Sequence, residues 1–251
     1  MSSIAILRVS IVLALTILLM PIYLLGLALD YLFGQRIVVL LTKKFWSRAV
    51  MKTIGIKWEL VGLKSKAHIF VSNHISWVDI LAINSALDVV FIAKKEVRSW
   101  PGLGVLAVLG QTIFIERKSL NALSQKWAVE ECLKKGQSIF FFPEGTSTDG
   151  LRVLKFKSGF FQLLFDGIYN KNKYIKKVQP LSIYYKVHNK NLSKDFYGWW
   201  GSMSIISHIT KILCLSSGSV ELKFHDSLNS EEFNDRKEIA LAAENTIAKY
   251  I

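Results

Sequence analysis

The sequence predicts an α/β domain, a largely parallel mixed sheet flanked by helices, behind an N-terminal two-helix membrane anchor. Three observations predict it. An uncharged run of 21 residues, Val9 to Leu29, lies near the start of the chain. Beyond Gly55, short apolar runs alternate with longer amphipathic stretches, the pattern of strand–helix–strand units. The composition is 51% hydrophobic, with 32 Lys+Arg against 19 Asp+Glu and a net charge of +13. A folded core in contact with an anionic surface fits that balance.

The same arithmetic excludes several classes. Four Pro and 15 Gly in 251 residues are too few for a collagenous or Pro/Gly-driven disordered chain. The apolar fraction is too high for general disorder. Cys132 and Cys214 cannot form a disulfide framework, and the absence of Cys-x-x-Cys removes the common zinc and redox motifs.

At ~1.5 Å per residue, Val9 to Leu29 extends about 30 Å, the thickness of a bilayer's hydrocarbon core. It exceeds a typical signal-peptide core, and Arg8 is the only basic residue ahead of it. Pro21 and Gly26 predict a kink or a re-entrant bend in a membrane helix. From Arg36 to Thr53 a helical winding collects Val38, Val39, Phe45, Trp46, Ala49 and Val50 on one side. Arg36, Lys43, Lys44, Arg48 and Lys52 fall on the other. That division predicts a helix lying in the membrane interface, with a solvated basic face as the alternative. Basic residues crowd the C-terminal side of the apolar run, which puts the remainder of the chain on the cytoplasmic face of the cell membrane. Residues 1–54 are thus read as membrane-associated helices and 55–251 as the catalytic or binding domain.

Within the domain the predicted strands are Lys57–Val61, Ala67–Ser72, Val89–Ala93, Thr112–Ile115, Ser138–Phe142, Val178–Tyr185 and Ser219–Phe224. Predicted helices cover Trp77–Ser85, Leu103–Leu109, Ala122–Lys135, Gly159–Tyr169 and Glu231 to the C-terminus. Asn170 to Lys177 reads as a basic loop inside one domain.

Three places carry candidate chemistry. His74 follows an apolar strand, and Asp79 lies five residues on, in the opening turn of a helix. If Asn73 to Ser76 form the turn, the carboxylate reaches back to the imidazole, fixes its tautomer and leaves the other nitrogen to deprotonate an alcohol. A structural His at a helix start is the plainer alternative. Phe142-Pro143-Glu144-Gly145-Thr146-Ser147 ends a second strand with a carboxylate, hydroxyls and exposed N–H groups. Ligands bind at that end of open α/β sheets. Arg117, just past a strand ending at Ile115, can form a two-pronged bond to phosphate or carboxylate.

In this order the blocks resemble the glycerolipid (lysophosphatidic acid) acyltransferases: Asn73-His74 through Asp79, Phe114-Ile115-x-Arg117, and Phe142-Pro143-Glu144-Gly145-Thr146. A fourth is Val178-Gln179-Pro180-Leu181-Ser182-Ile183. Smaller agreements are Trp100-Pro101-Gly102-x-Gly104 and Phe156-Lys157-Ser158-Gly159-Phe160. The resemblance covers about Gly55 to His225. It implies the glycerolipid acyltransferase fold and acyl transfer from acyl-CoA or acyl carrier protein to a lysolipid hydroxyl. His74 would be the base and Asp79 its orienter, with Arg117, Glu144, Gly145 and Thr146 at the acceptor's head group. Neither metal nor cofactor is implied beyond the donor thioester. The partners implied are the lysolipid, the donor and an acidic membrane surface, and no nucleic acid.

One position departs from the pattern. Members that make phosphatidic acid usually carry Arg after Gly-Thr, where this chain has Ser147. A hydroxyl cannot replace a charge-assisted fork on phosphate. The Gly-Thr-Ser-Thr-Asp-Gly variant resembles acyltransferases that make ornithine lipid. The expected product is phosphatidic acid from 1-acylglycerol-3-phosphate, with lyso-ornithine lipid as the alternative acceptor. A non-catalytic peripheral membrane protein is the competing class.

Overall fold

The computed structural model describes residues 2–116, 122–165, 176–215 and 217–251. The chain begins with α1 (Ser3–Phe33), capped by the Ser2 hydroxyl and ended by Gly34 at φ 65°. Pro21 sits inside this helix without ending it, so the expected bend does not divide the segment. By length and composition, α1 is the one helix among the described residues able to cross a membrane.

Four contacts hold α1 lengthwise against the rest of the protein. Arg8 Nη1 donates to the Leu213 carbonyl at 2.8 Å. The Trp46 indole donates to Thr16 Oγ1 at 2.9 Å. The Tyr23 hydroxyl donates to the Leu109 carbonyl at 2.8 Å, and Asp30 pairs with Arg36 at 2.8 Å. Gly26 permits the close approach of α2 (Ile37–Thr53), since a Cβ there would lie 3.0 Å from the Val39 nitrogen.

α2 has 17 residues, and part of the basic side expected to face outward is turned to the domain. Arg36 and Lys43 both pair with Asp88. Arg48 donates to the Ser85 carbonyl at 3.1 Å and lies over the Trp58 ring. A carboxylate and the carbonyls at a helix end draw these cations inward. Ile37, Leu41 and Phe45, four residues apart, are left on the outer surface.

The domain then follows the predicted alternation. Its strands are β1 (Ile56–Val61), β2 (Ile69–Ser72), β3 (Val89–Lys94), β4 (Ile113–Ile115), β5 (Ser138–Phe141), β6 (Lys177–Val187), β7 (Gly218–Phe224) and β8 (Leu228–Asn229). Helices α3 (Val78–Ala86), α4 (Leu103–Leu109), α5 (Ala122–Lys134), α6 (Ile205–Leu215) and α7 (Arg236–Ala248) connect or flank them. Among the described residues the strands form one sheet in the order β1-β7-β6-β2-β5-β3-β4, with β8 on β6. Pairing is parallel except at β6 with β7 and β6 with β8. The mixed, largely parallel sheet is therefore as expected.

Strand alternation divides the core in two. Phe70, Phe91 and Phe140 join Val78, Ile83 and Ile183 on one face of the sheet. Ile69, Val71, Ile139 and Phe141 join Phe161, Ile239 and Ala243 on the other. Both faces are covered, so the parallel strands are nearly continuous hydrophobic runs. Several assignments differ. Residues 158–164 are a 3₁₀ helix where an α-helix was expected, the C-terminal helix begins at Arg236 and not at Glu231, and α6 and β8 were not anticipated. The later part of the 159–169 prediction, from 166 on, lies outside the described residues.

Candidate active site

The C-terminal ends of adjacent strands β2 and β5 build the site. β2 stops at Ser72 because Asn73 turns its side chain into the ladder. Its amide donates to the Ile183 carbonyl at 2.9 Å, and its oxygen accepts from the Ile183 N–H at 2.8 Å. The side chain thus replaces backbone pairing and fixes where the next residue emerges.

That residue is His74. Asp79, in the first turn of α3, reaches back as the five-residue spacing predicted, with Oδ2 at 2.7 Å from His74 Nδ1. The same oxygen accepts from the N–H groups of Ile75 at 2.7 Å and Ser76 at 2.9 Å. Asp79 therefore shapes the turn as well as the ring orientation. It is fully buried, a placement tolerated because each oxygen is hydrogen-bonded. The Tyr185 hydroxyl donates to Oδ1 at 2.8 Å. Burial, with the adjacent Asp79 charge, raises the Tyr185 pKa well above the ordinary tyrosine value, so it remains a donor. The His74 ring stacks on Phe142 at 3.9 Å and 19°. With Nδ1 committed to Asp79, Nε2 is the nitrogen that can take a proton.

β5 delivers the second turn. Glu144 is buried, and its two oxygens accept from the N–H groups of His74 at 2.8 Å and Leu154 at 2.9 Å. Burial pushes its pKa up to about 7 against the pull of those two bonds. Its carboxylate ties the two turns together from beneath. Gly145 adopts φ 69°, and a Cβ there would lie 2.5 Å from Lys157 Nζ. Lys157 in turn donates to the Glu144 carbonyl at 2.9 Å. Thr146 is exposed on the turn. The N–H and hydroxyl of Thr148 both donate to the His74 carbonyl, at 2.9 and 3.1 Å.

Ser147 points away from an acceptor role, donating its hydroxyl to the Trp199 carbonyl. The Trp199 N–H donates to the Ile75 carbonyl at 2.9 Å, so the segment before α6 is fastened to both turns. β4 ends at Ile115, and Arg117 lies outside the described residues. Two other histidines sit in structural contacts: His208 accepts from the Trp77 indole at 3.1 Å and His225 lies 2.8 Å from the Ser182 hydroxyl.

Sequence reasoning brought His74, Asp79, Glu144, Gly145 and Thr146 to one edge of the sheet, and they are together there. It missed Tyr185 and Asn73 as supports. Asn73 had a signal, a polar residue between an apolar strand and the proposed base. Tyr185 is 106 residues from Asp79 and had none.

The arrangement is a buried carboxylate orienting a partly exposed imidazole at the ligand-binding edge of an α/β sheet, suited to general-base activation of a hydroxyl. A family model described as Acyltransferase matches residues 59–183. A lyso-ornithine lipid O-acyltransferase of Rhodobacter capsulatus is 34% identical over 203 residues, covering 80% of this chain and 72% of that protein. A 1-acyl-sn-glycerol-3-phosphate acyltransferase of Neisseria meningitidis is 38% identical over 124 residues, covering 47% and 48%. The fold is similar to the crystal structure of the 1-acyl-sn-glycerophosphate acyltransferase PlsC from Thermotoga maritima. The TM-score is 0.59 at 22% identity, with 97% and 95% of the two chains covered.

Proposed function

This chain belongs to the Acyltransferase family, and from that premise we propose that it acylates the free hydroxyl of a lysolipid, with lyso-ornithine lipid as acceptor and a fatty acyl thioester of CoA or acyl carrier protein as donor. The observation that carries the chemistry is the 2.7 Å contact between His74 Nδ1 and Asp79. His74 Nε2 takes the proton as the acceptor oxygen attacks the thioester carbonyl. The new C–O bond forms, the C–S bond breaks, and the imidazolium returns its proton to the leaving thiolate. Asp79 holds the ring and balances the imidazolium charge. Gly145 and Thr146 offer the turn surface to the head group, with Arg117 as the cation and Glu144 fixing the turn. α1 holds the domain at the cytoplasmic side of the membrane, where acceptor and product both reside.

The acceptor is argued from Ser147, whose hydroxyl is engaged by Trp199 where an Arg would grip phosphate. The longer match to the lyso-ornithine enzyme of Rhodobacter capsulatus supports the same choice. The phosphatidic acid reading is supported by shorter matches to 1-acyl-sn-glycerol-3-phosphate acyltransferases, among them the 38% identity to the Neisseria enzyme over 124 residues.

Product mass spectrometry tests both. Purified protein in micelles receives a donor thioester and either lyso-ornithine lipid or 1-acylglycerol-3-phosphate, with His74→Ala as control. Ornithine lipid formed only by unmodified protein is the expected result. Phosphatidic acid alone would overturn the acceptor. Equal turnover by His74→Ala would overturn the base.

A further inference from the structure

Five large apolar side chains, Leu151, Leu154, Trp200, Met203 and Ile206, are exposed beside the site, with Ile206 at 67%. Single exposed hydrophobics are ordinary. These come from two loops and a helix start that are fastened to the catalytic turns and to one another. The Leu154 N–H donates to Glu144 at 2.9 Å. The Leu151 N–H donates to Asp149 Oδ1 at 3.0 Å, and the Asp149 Cα would lie 3.0 Å from a Cβ at Gly198. Trp200 and Met203 flank the Trp199 attachment, and the Trp199 indole donates to the Met203 carbonyl at 2.8 Å. Ile206 is two residues before His208, which accepts from Trp77.

Charge selects the occupant. Exposed Lys155 and Arg152 lie among Leu151 and Leu154, Arg152 in an ion pair with Asp149 at 3.1 Å that leaves Lys155 as the main cation of this loop. Farther along α6, Lys211 lies 4.5 Å over the Phe196 ring. Apolar tips among cations, with a Trp at the edge, suit the boundary between anionic head groups and acyl chains. The surface also continues into α1, because Arg8 donates to the Leu213 carbonyl of α6.

We propose that these five residues form a lipid-contacting collar, separate from α1, that seats the catalytic edge in the membrane layer supplying the acceptor. The collar rests on the lysolipid reading given above. It lets the acceptor's hydroxyl reach His74 while its fatty chain stays in the lipid, so the chain need not pass through water.

Two measurements test it. The Trp200→Ser/Ile206→Ser double variant is assayed with lysolipid in detergent micelles and in phosphatidylethanolamine–phosphatidylglycerol vesicles. The expected result is unchanged micellar kcat with a vesicle KM raised about fivefold or more. Bromolipid quenching of tryptophan fluorescence is then compared between wild type and Trp200→Phe, and the variant should lose part of it. Unchanged vesicle kinetics together with unchanged quenching would overturn the collar. A wild type inactive on every lysolipid in both formats would sink the acceptor reading, and quenching alone would then decide the collar. Quenching likewise decides it if the double variant fails to fold.

Discussion

The Tyr185 hydroxyl donates to the Asp79 oxygen that His74 does not use, at 2.8 Å in a fully buried setting. Three donors already converge on the other oxygen. Among the described residues Tyr185 is thus the one side chain that donates to Oδ1, and a positioning residue for the base. Tyr185→Phe should lower kcat about tenfold and leave KM within twofold, since the lost hydroxyl orients without touching substrate. Denaturant unfolding should show a stability loss of about 1–2 kcal/mol. An unchanged kcat at reduced stability would assign Tyr185 to the core alone.

Glu144 makes stability depend on pH. Its pKa is raised from 4.5 to about 7 on folding, so the folded chain holds this proton over a window where the unfolded chain has released it. The sign follows: the contribution favours folding at low pH and declines as pH rises through about 4.5 to 7, then levels. At about 1.4 kcal/mol per pH unit the window spans about 3 kcal/mol. Thermal or urea unfolding of Glu144→Gln from pH 5 to 8 should show a flatter curve than the wild type. Parallel curves would mean that Glu144 titrates near its ordinary value.

Ser147→Arg exchanges a hydroxyl fastened to Trp199 for a cation seeking an anion. The expected outcome is a shift in acceptor preference toward 1-acylglycerol-3-phosphate of about 10- to 100-fold, the scale of one charged hydrogen bond. Turnover on lyso-ornithine lipid should fall as the segment around Trp199 loosens. A competition assay with both acceptors in one micelle reads the ratio directly. An unchanged ratio would remove Ser147 from the specificity argument.

The sheet was legible because each strand is a short apolar run between polar stretches, a local signal. Thus β2 and β5 lie within two residues of their predicted bounds. The His74–Asp79 pair was legible for the same reason: both groups sit in one turn, and their spacing decides whether they meet. The facing of α2 was not. Its cations turn inward toward Asp88 and the Ser85 carbonyl, partners some forty residues away that helical periodicity cannot register. α6 was overlooked although Ile205, Ile209, Ile212 and Leu213 recur at helical spacing, because Ser204, Ser207 and Thr210 weaken the pattern locally. Tyr185 depended on the register of β6 against β2, known only once the sheet is assembled.

The attachment of Arg8 to Leu213 spans 205 residues, and it sets an order of events during biosynthesis. At about 5–20 residues per second, α6 is made about 10–40 s after α1. For that interval α1, the most apolar helix among the described residues, lacks its last docking partner. An apolar helix in water is an aggregation hazard until a bilayer or a holding chaperone covers it, and α1 is complete well before the domain can close against it.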